Sequence, residues 1–163
     1  MNEALFTPWR LAYLAGTDAA RTEGCIFCGL PERSDEDALI VLRGAHAYVV
    51  MNRFPYTNGH VMVIPFAHRA SLAEMRVEER AELIELGAAS EAALQAEYHP
   101  HGLNLGLNLG RSAGAGIADH AHLHVVPRWD GDTNFFTVTA GTRTIPEALS
   151  VTRSRLAARF GTR

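Results

Sequence analysis

The sequence contains no lysine, and all 15 of its basic residues are arginines. A Walker-type phosphate loop requires a lysine, so that class of nucleotide site is excluded. Schiff-base catalysis is excluded for the same reason. Any phosphate group that the chain binds must therefore be held by arginine, histidine, backbone N–H groups or a metal ion.

Cysteine is scarce as well: the chain has only Cys25 and Cys28, spaced as Cys-x-x-Cys. A structural disulfide is not expected in a cytosolic chain. A redox-active pair would be expected beside a βαβ pattern, and none follows these cysteines. The same spacing supplies half of the ligands of a four-coordinate zinc site. The pair alone therefore indicates no more than half a metal site.

Long apolar runs are also missing, and no segment approaches the roughly 18 residues of a membrane span. The chain opens without the basic and apolar segments of a signal peptide. Its net charge of −3 gives no electrostatic footprint for nucleic acid. We therefore expect a cytoplasmic protein with neither a membrane nor nucleic acid as partner. Its 163 residues suffice for a single domain with a sizeable core.

What the sequence does have is histidine at three alternate positions, His120, His122 and His124. Alternation with apolar residues predicts a strand that ends at Pro127, with the three imidazoles in a row on one face. Three explanations are open at this point: core histidines satisfied by hydrogen bonds, a catalytic metal site, or a nucleophilic imidazole whose neighbours bind an anion such as phosphate.

The remaining patterns predict an α+β fold with an antiparallel sheet of about five strands, one long helix and a C-terminal helix. Strand-like residues occupy 46–51, 60–65 and 102–109, and the first two form a hairpin around Asn58-Gly59. Residues 71–98 are helix-like and residues 146–159 form the C-terminal helix. Four glutamates of the long helix are expected to face solvent, and a stripe of five residues to face the core: Leu83, Ile84, Gly87, Ala88 and Leu94.

A polar face and a glycine-rich loop precede the histidines. Asn104, Gly106 and Asn108 alternate with leucines on 102–109, and residues 110–116 follow as the loop. If this strand pairs with the histidine strand, its polar face lies beside the imidazoles. Gly114 and Gly116 allow the loop backbone to approach a ligand and to direct N–H groups at it. The combination indicates a phosphate site.

Two segments resemble the histidine-triad (HIT) family. Residues 120–126 match its His-φ-His-φ-His-φ-φ motif, and residues 52–65 match its Asn-x-x-Pro…Gly-His-x-x-Val-x-Pro pattern. The resemblance implies a HIT-like fold and a nucleotidyl-histidine intermediate. It makes His122 the nucleophile, held by the carbonyl of His120, with His124 contacting phosphate and His60 supporting the triad.

The resemblance also implies a substrate site. Asn52 corresponds to a ribose-side residue, and Asn108 to one near the α-phosphate or the leaving group. Where the family often has Gln or Ser in the loop, this chain has Gly116, so Arg111 or the backbone must replace that donor. The predicted substrate-binding residues are Asn52, Asn108, Gly114, Gly116, Arg111 and Trp129.

Some bacterial members of the family bind zinc through a Cys-x-x-Cys pair, a histidine after Ile-Pro and the first triad histidine. The corresponding residues here make a Cys2His2 set for a closed, structural zinc. We therefore expect zinc, and no organic cofactor, with the metal ligands Cys25, Cys28, His68 and His120.

Within the family, the chain resembles the bacterial diadenosine tetraphosphate phosphorylase (ATP adenylyltransferase) branch, notably at residues 104–114 and 127–129. The branch implies an adenine nucleotide substrate, inorganic phosphate as acceptor and a homodimer. A dinucleoside polyphosphate hydrolase, a Hint-like phosphoramidase and a non-catalytic, zinc-stabilised nucleotide-binding module are the alternatives. We expect a single domain over 1–163, with its core at about 25–129, an N-terminal arm (1–24) and a C-terminal extension (130–163).

Overall fold

The structure is a computed structural model that describes residues 24–132 and 145–161. The expected arm over residues 1–24 lies almost entirely outside these ranges, and the division of the chain into arm, core and extension stays a prediction. Within the described ranges, no helix combines the length and the apolar character needed to cross a membrane.

Short helices open the described chain, and strands and two longer helices follow. Turns of 3-10 helix also occur at Leu30–Glu32, Leu72–Glu74 and Arg111–Ala113. The helices and strands, in chain order, are α1 (Ile26–Gly29), α2 (Asp35–Ala38), β1 (Ile40–Arg43), β2 (Ala47–Met51), β3 (Val61–Pro65), α3 (Val77–Tyr98), β4 (Gly102–Leu107), β5 (Leu123–Arg128) and α4 (Leu149–Phe160).

The five strands form one antiparallel sheet in the order β1-β2-β3-β5-β4. β2 and β3 are the predicted hairpin, with Ala47 opposite Pro65 and Met51 opposite Val61. α3 connects β3 to the far edge of the sheet, and β5 then returns between β3 and β4. The α+β class, the five-stranded antiparallel sheet and both predicted longer helices are confirmed.

The two faces of the sheet carry different clusters because alternate strand residues point in opposite directions. Val49, Val63 and Leu123 face α3 and α4 in the larger core, to which Leu156 of α4 also contributes. The smaller cluster on the other face consists of Phe27, Ala38, Ile40, Tyr48, Val50, Met62 and Ile64. The triad histidines share this second face, since Met62 lies opposite His124.

The predicted stripe of the long helix is partly wrong. α3 begins at Val77 rather than residue 71 and buries Leu83, Gly87 and Leu94, but Ile84 and Ala88 are exposed. The helix lies close to β5 at Gly87, where an added Cβ would come within 3.0 Å of Leu123. The sheet therefore contacts the side of α3 that carries Gly87, and Ile84 lies away from it.

Contrary to the prediction, two glutamates of α3 do not face solvent. Glu79 is buried and accepts hydrogen bonds from the backbone N–H and Nε of Arg76 at the helix start. Glu82 accepts the backbone N–H groups of the turn at residues 45–47, which connects β1 to β2. Both carboxylates satisfy N–H groups that would otherwise lack partners.

Local structure also differs at two places from what the apolar pattern of the sequence predicts. The polar residues that precede β1 form α2, because Ser34 caps this helix by accepting the N–H of Asp37. The histidine strand was expected to include all three histidines and to end at Pro127. β5 instead begins at Leu123 and continues to Arg128. Pro127 fits there because the pairing with β3 has already ended at Val125.

Candidate active site

The three triad histidines lie together on the face of the sheet that carries Phe27. His120 and His122 are almost fully buried, and both rings make edge contacts with Phe27, at centroid distances of 5.6 and 4.9 Å. The rings of His122 and His124 lie 4.8 Å apart. Only His124 belongs to β5, but the ring contacts place all three imidazoles on one face, as the alternation in the sequence indicated.

His122 is held in one tautomer. Its Nδ1 lies 3.0 Å from the carbonyl oxygen of His120. A carbonyl can only accept a hydrogen bond, so Nδ1 carries the proton and Nε2 presents a lone pair. Burial lowers the pKa of His122, which favours the neutral ring. The arrangement gives an unprotonated nitrogen at neutral pH.

His124 is held in the opposite tautomer through His60. Nδ1 of His60 accepts the backbone N–H of Tyr56 at 3.1 Å, so the proton of a neutral His60 lies on Nε2. That Nε2–H donates to Nδ1 of His124 at 2.9 Å. His124, when neutral, therefore carries its own proton on Nε2.

Burial and mutual repulsion keep both of these rings neutral. Burial and the neighbouring His124 and His122 lower the pKa of His60 to about 3. Burial, followed by His122, lowers the pKa of His124 to about 4. At neutral pH the site thus holds adjacent imidazoles of opposite polarity: His122 presents a lone pair and His124 presents an N–H donor.

Asn52 contacts His60, the hydrogen-bond partner of His124. Its Nδ2 is 3.3 Å from Nδ1 of His60, and its Oδ1 accepts the N–H of Phe54 at 2.9 Å. The amide therefore fixes the β2–β3 loop, which also carries Tyr56. The ring of Tyr56 stacks on His124 at a centroid distance of 5.8 Å.

The glycine-rich loop folds back on itself beside β4. Gly110 and Gly114 both have positive φ, at +82° and +92°, which a residue with a Cβ rarely adopts. The N–H of Gly114 donates to the carbonyl of Arg111, so Gly114 offers space rather than a donor. Arg111 and Gly116 are exposed, and Asn108 is half-buried.

A cleft of about 330 Å³ adjoins His124 between β5, β4 and the β2–β3 loop. Of the predicted substrate residues in the described chain, Asn108 lines this cleft, whereas Asn52, Arg111, Gly114, Gly116 and Trp129 do not. Trp129 is half-buried, and its backbone N–H donates to the carboxylate of Asp132. The polar residues that line the cleft are Tyr56, Thr57, Asn104, Asn108, His124, Arg128 and Asp132.

Most of these lining residues were not predicted as substrate ligands. The alternation of β4 had already placed Asn104 on the polar face. Arg128 comes to the same place because Gly102 pairs with it and Asn104 pairs with Val126. Thr57 and Asp132 carry no sequence signal of their own, since loop conformation alone brings them to the cleft.

The predicted zinc ligands lie together on the other side of His120. The ligand atoms of Cys25, Cys28, His68 and His120 all lie within 4.8 Å of one another. Three sulfur–nitrogen distances are 3.3, 3.4 and 3.6 Å. Tetrahedral zinc, with bonds of about 2.3 Å to sulfur and about 2.05 Å to nitrogen, separates two such ligands by about 3.6 Å.

The surroundings of His120 favour metal binding as well. Nε2 of His120 donates to the carbonyl of Pro65 at 2.9 Å, which leaves Nδ1 unprotonated toward the two cysteines. An oriented second ring nitrogen of this kind is typical of histidine metal ligands. The residues present therefore fit a closed, four-coordinate structural zinc.

A five-stranded antiparallel sheet that carries a row of three histidines on one face defines a histidine-triad protein. The sequence profile of the HIT domain matches residues 33–131, more than half of the chain. The protein therefore belongs to the HIT family, which confirms the family resemblance of the sequence.

Individual relatives agree with this assignment. The chain is 41% identical over 161 residues to a protein named AP-4-A phosphorylase from Mycobacterium tuberculosis (strain ATCC 25618 / H37Rv), covering 95% of this chain and 83% of the relative. The solved structure of a Zn-bound histidine triad family protein from Mycobacterium smegmatis superposes with a TM-score of 0.69. It is 26% identical and covers 85% of this chain and 94% of its own.

A second solved structure gives the same fold. The HIT family member from Bacillus subtilis has a TM-score of 0.61 and 26% identity, and covers 77% of this chain and 83% of its own. The sequence and structural comparisons therefore assign the same family.

Proposed function

We propose that the protein is a nucleotidyl hydrolase or transferase that cleaves the α-phosphate linkage of an adenine dinucleotide, with His122 as nucleophile. One observation carries the proposal: neighbouring imidazoles are held in opposite tautomers, one as electron-pair donor and one as hydrogen-bond donor. Nucleophilic catalysis at phosphorus needs this combination, because the attacking nitrogen and the charged phosphate oxygens have opposite requirements.

In the first half-reaction, Nε2 of His122 attacks the α-phosphorus. The N–P bond forms as the bond to the leaving phosphate oxygen breaks, and that oxygen departs with the electron pair. The carbonyl of His120 accepts the hydrogen bond from Nδ1–H, which gains positive character. Nε2–H of His124 donates to a non-bridging oxygen as charge develops.

In the second half-reaction, an oxygen of the acceptor attacks the same phosphorus. The P–N bond breaks, and the electron pair returns to Nε2 of His122. Inorganic phosphate as acceptor gives a nucleoside diphosphate, whereas water gives a monophosphate. We favour the phosphorylase, a diadenosine tetraphosphate phosphorylase, because the M. tuberculosis relative carries that name and aligns with nearly the whole chain.

We further propose a structural zinc held by Cys25, Cys28, His68 and His120. A bound zinc supplies cross-linking rather than chemistry, because a four-ligand site has no open position. It would fix the ring of His120, whose carbonyl orients His122. The donor geometry and the Zn-bound M. smegmatis neighbour support this assignment.

A cytoplasmic homodimer is the assembly we propose. Ile84 on α3 and Leu105 on β4 are large apolar residues that are 59% and 45% exposed. Within the described chain β4 is an edge strand with one paired neighbour, so its outer edge has backbone groups for a second copy. The net charge of −3 gives no reason to expect nucleic acid as a partner.

Labelling with a dinucleotide that carries radioactive phosphorus at its α-position tests the proposal. A protein label that is stable in base and lost in acid is expected in the wild type and in His101→Gln, whose side chain is exposed. It should be missing from His122→Gln. A wild-type protein that takes up no label would refute the proposal.

A chase with inorganic phosphate then distinguishes the acceptors. Release of the label as ADP assigns a phosphorylase, and release as AMP assigns a hydrolase. A labelled protein that releases neither product would be a nucleotide-binding module with little turnover.

A further inference from the structure

The cleft beside His124 offers room that the reacting phosphate does not need. It extends along β5 from His124 to Arg128, four residues or about 13 Å of strand. Its volume of about 330 Å³ falls at the lower end of the range of about 300–1,000 Å³ for ligand pockets. A single phosphate ion would leave most of this space unfilled.

Gly106 creates this room. It pairs directly with His124 across the β4–β5 ladder, and a Cβ placed on it would meet nothing within 4 Å. Most other residues at this position would project a side chain into the cleft next to the imidazole. The backbone of Gly106 has no positive φ, so the open space, rather than backbone conformation, distinguishes this glycine.

The far end of the cleft presents an oriented guanidinium. Asp132 accepts from Nε and Nη2 of Arg128, at 2.5 and 3.0 Å. Asn104 accepts from Nη1 at 2.8 Å. A guanidinium has five N–H bonds, so two of them remain outside these contacts. The side chain is 46% exposed, and a phosphate oxygen can approach it without breaking the pair.

The position of the cleft in the sheet suits the departing half of a dinucleotide. β3 and β2, which lead to Asn52, lie on one side of β5, and β4 lies on the other. Asn52 does not line the cleft, so a reacting half whose nucleoside lies toward Asn52 leaves the cleft open to the other half. An in-line displacement also needs separate room for the group that leaves.

We propose that this cleft binds the leaving nucleoside polyphosphate of a dinucleotide substrate, with Gly106 providing the passage and Arg128 binding a distal phosphate. The inference rests on the proposed function, since it assigns the two halves of the substrate to the two sides of the triad. It makes Gly106 and Arg128 specificity-determining residues: both favour a long phosphate chain over a compact leaving group.

Two substrates that share the same α-phosphate test this inference. Diadenosine tetraphosphate has a long leaving group, whereas adenosine 5′-phosphoramidate loses ammonia and needs no distal subsite. The quantity to measure is the ratio of kcat/KM for the long substrate to that for the short one. Zinc content and circular dichroism of each variant establish that it is folded.

We expect the ratio to fall about 10- to 100-fold in Arg128→Gln, the usual effect of a lost hydrogen bond to a charged group. It should fall through the series Gly106→Ala and Gly106→Val, since the added side chain narrows the passage. Arg33→Gln, which removes an exposed arginine outside the cleft, is the matched control and should keep the wild-type ratio.

A ratio within about twofold of wild type in either Arg128→Gln or Gly106→Val overturns the inference, since that is the scatter of independent substitutions. The proposed function fails separately: wild-type protein would then form no nucleotidyl-histidine with either substrate. A wild type that forms the adduct, with variants that do not discriminate, refutes the distal subsite alone.

Discussion

Replacing His60 by asparagine or by glutamine separates the two hydrogen bonds that this buried imidazole makes. An asparagine oxygen can stand where Nδ1 accepts the N–H of Tyr56, but the shorter side chain does not reach His124. A glutamine nitrogen can stand where Nε2 donates to His124, but the acceptor for Tyr56 is lost. Each variant therefore removes one of the two hydrogen bonds of His60 and keeps the other.

The two losses differ in kind and in size. In His60→Asn, the donor 2.9 Å from Nδ1 of His124 is gone, so the proton of His124 is no longer fixed on Nε2. Removing one preorganised donor from a charged transition state costs about 10²-fold in kcat. In His60→Gln, one backbone N–H loses its partner, which costs about 1–3 kcal/mol of folding stability.

The assay is nucleotide release at saturating substrate, beside urea unfolding of the same preparations. We expect kcat to fall about 10- to 100-fold in His60→Asn and less than about tenfold in His60→Gln, since only the latter keeps a donor to His124. A wild-type kcat in His60→Asn, or equal losses in both variants, would refute the tautomer assignment of His124.

Three further predictions concern stability and metal. Cys25→Ser should lose its zinc and melt at a lower temperature, because one of four ligands to a structural metal is gone; unchanged zinc by elemental analysis would contradict the site. Because the pKa of His60 is lowered in the fold, the unfolded chain binds more protons below about pH 6.5. The free energy of unfolding should therefore fall as the pH is lowered from about 6.5 to 3, and His60 contributes at most about 1.4 kcal/mol per pH unit to this fall. A protein that becomes more stable on acidification over that range would contradict a buried, neutral His60. Glu82→Ala should lower the free energy of unfolding in urea by about 2–4 kcal/mol, because three backbone N–H groups lose their acceptor. The control Glu85→Ala, at an exposed position, should lower it by less than about 0.5 kcal/mol. Equal losses in the two variants would contradict the role of Glu82 as acceptor for the β1–β2 turn.

Much of the fold was readable because burial imposes a period on the sequence. The β2–β3 hairpin follows from its apolar runs and the Asn58-Gly59 turn, and both longer helices follow from their spacing. β1 was missed because four residues are too few to show a period. α2 was missed because the capping bond of Ser34 decides the conformation of an otherwise polar run.

Some features of the site also follow from neighbouring residues, whereas others depend on contacts between residues far apart in the sequence. The alternation at residues 120–124 predicts a shared face, and a carbonyl two residues away is enough to orient His122. The relay from Tyr56 through His60 to His124 depends on a contact between residues 64 positions apart. Only the register of β3, β5 and β4 brings His60 and the cleft residues to the triad.

The helix stripe shows why periodicity alone was not sufficient. Ile84 and Leu83 are both apolar and adjacent, so the pattern could not tell which of them faces the sheet. The close approach of Gly87 to Leu123 selects the buried side, and Ile84 then becomes part of the exposed surface that we assign to a second copy. Glu79 is buried for a different reason, because the backbone N–H and Nε of Arg76 satisfy its carboxylate oxygens.

The position of the covalent adduct is the result that bears most directly on the role of His122. Protein mixed with diadenosine tetraphosphate and quenched within its first turnover should carry one nucleotidyl group, and mass spectrometry of its peptides should place that group on His122. The chain has eight histidines, so the result discriminates among them. A nucleotidyl group on His124 or on any other residue would contradict His122 as the nucleophile, as would turnover without any adduct.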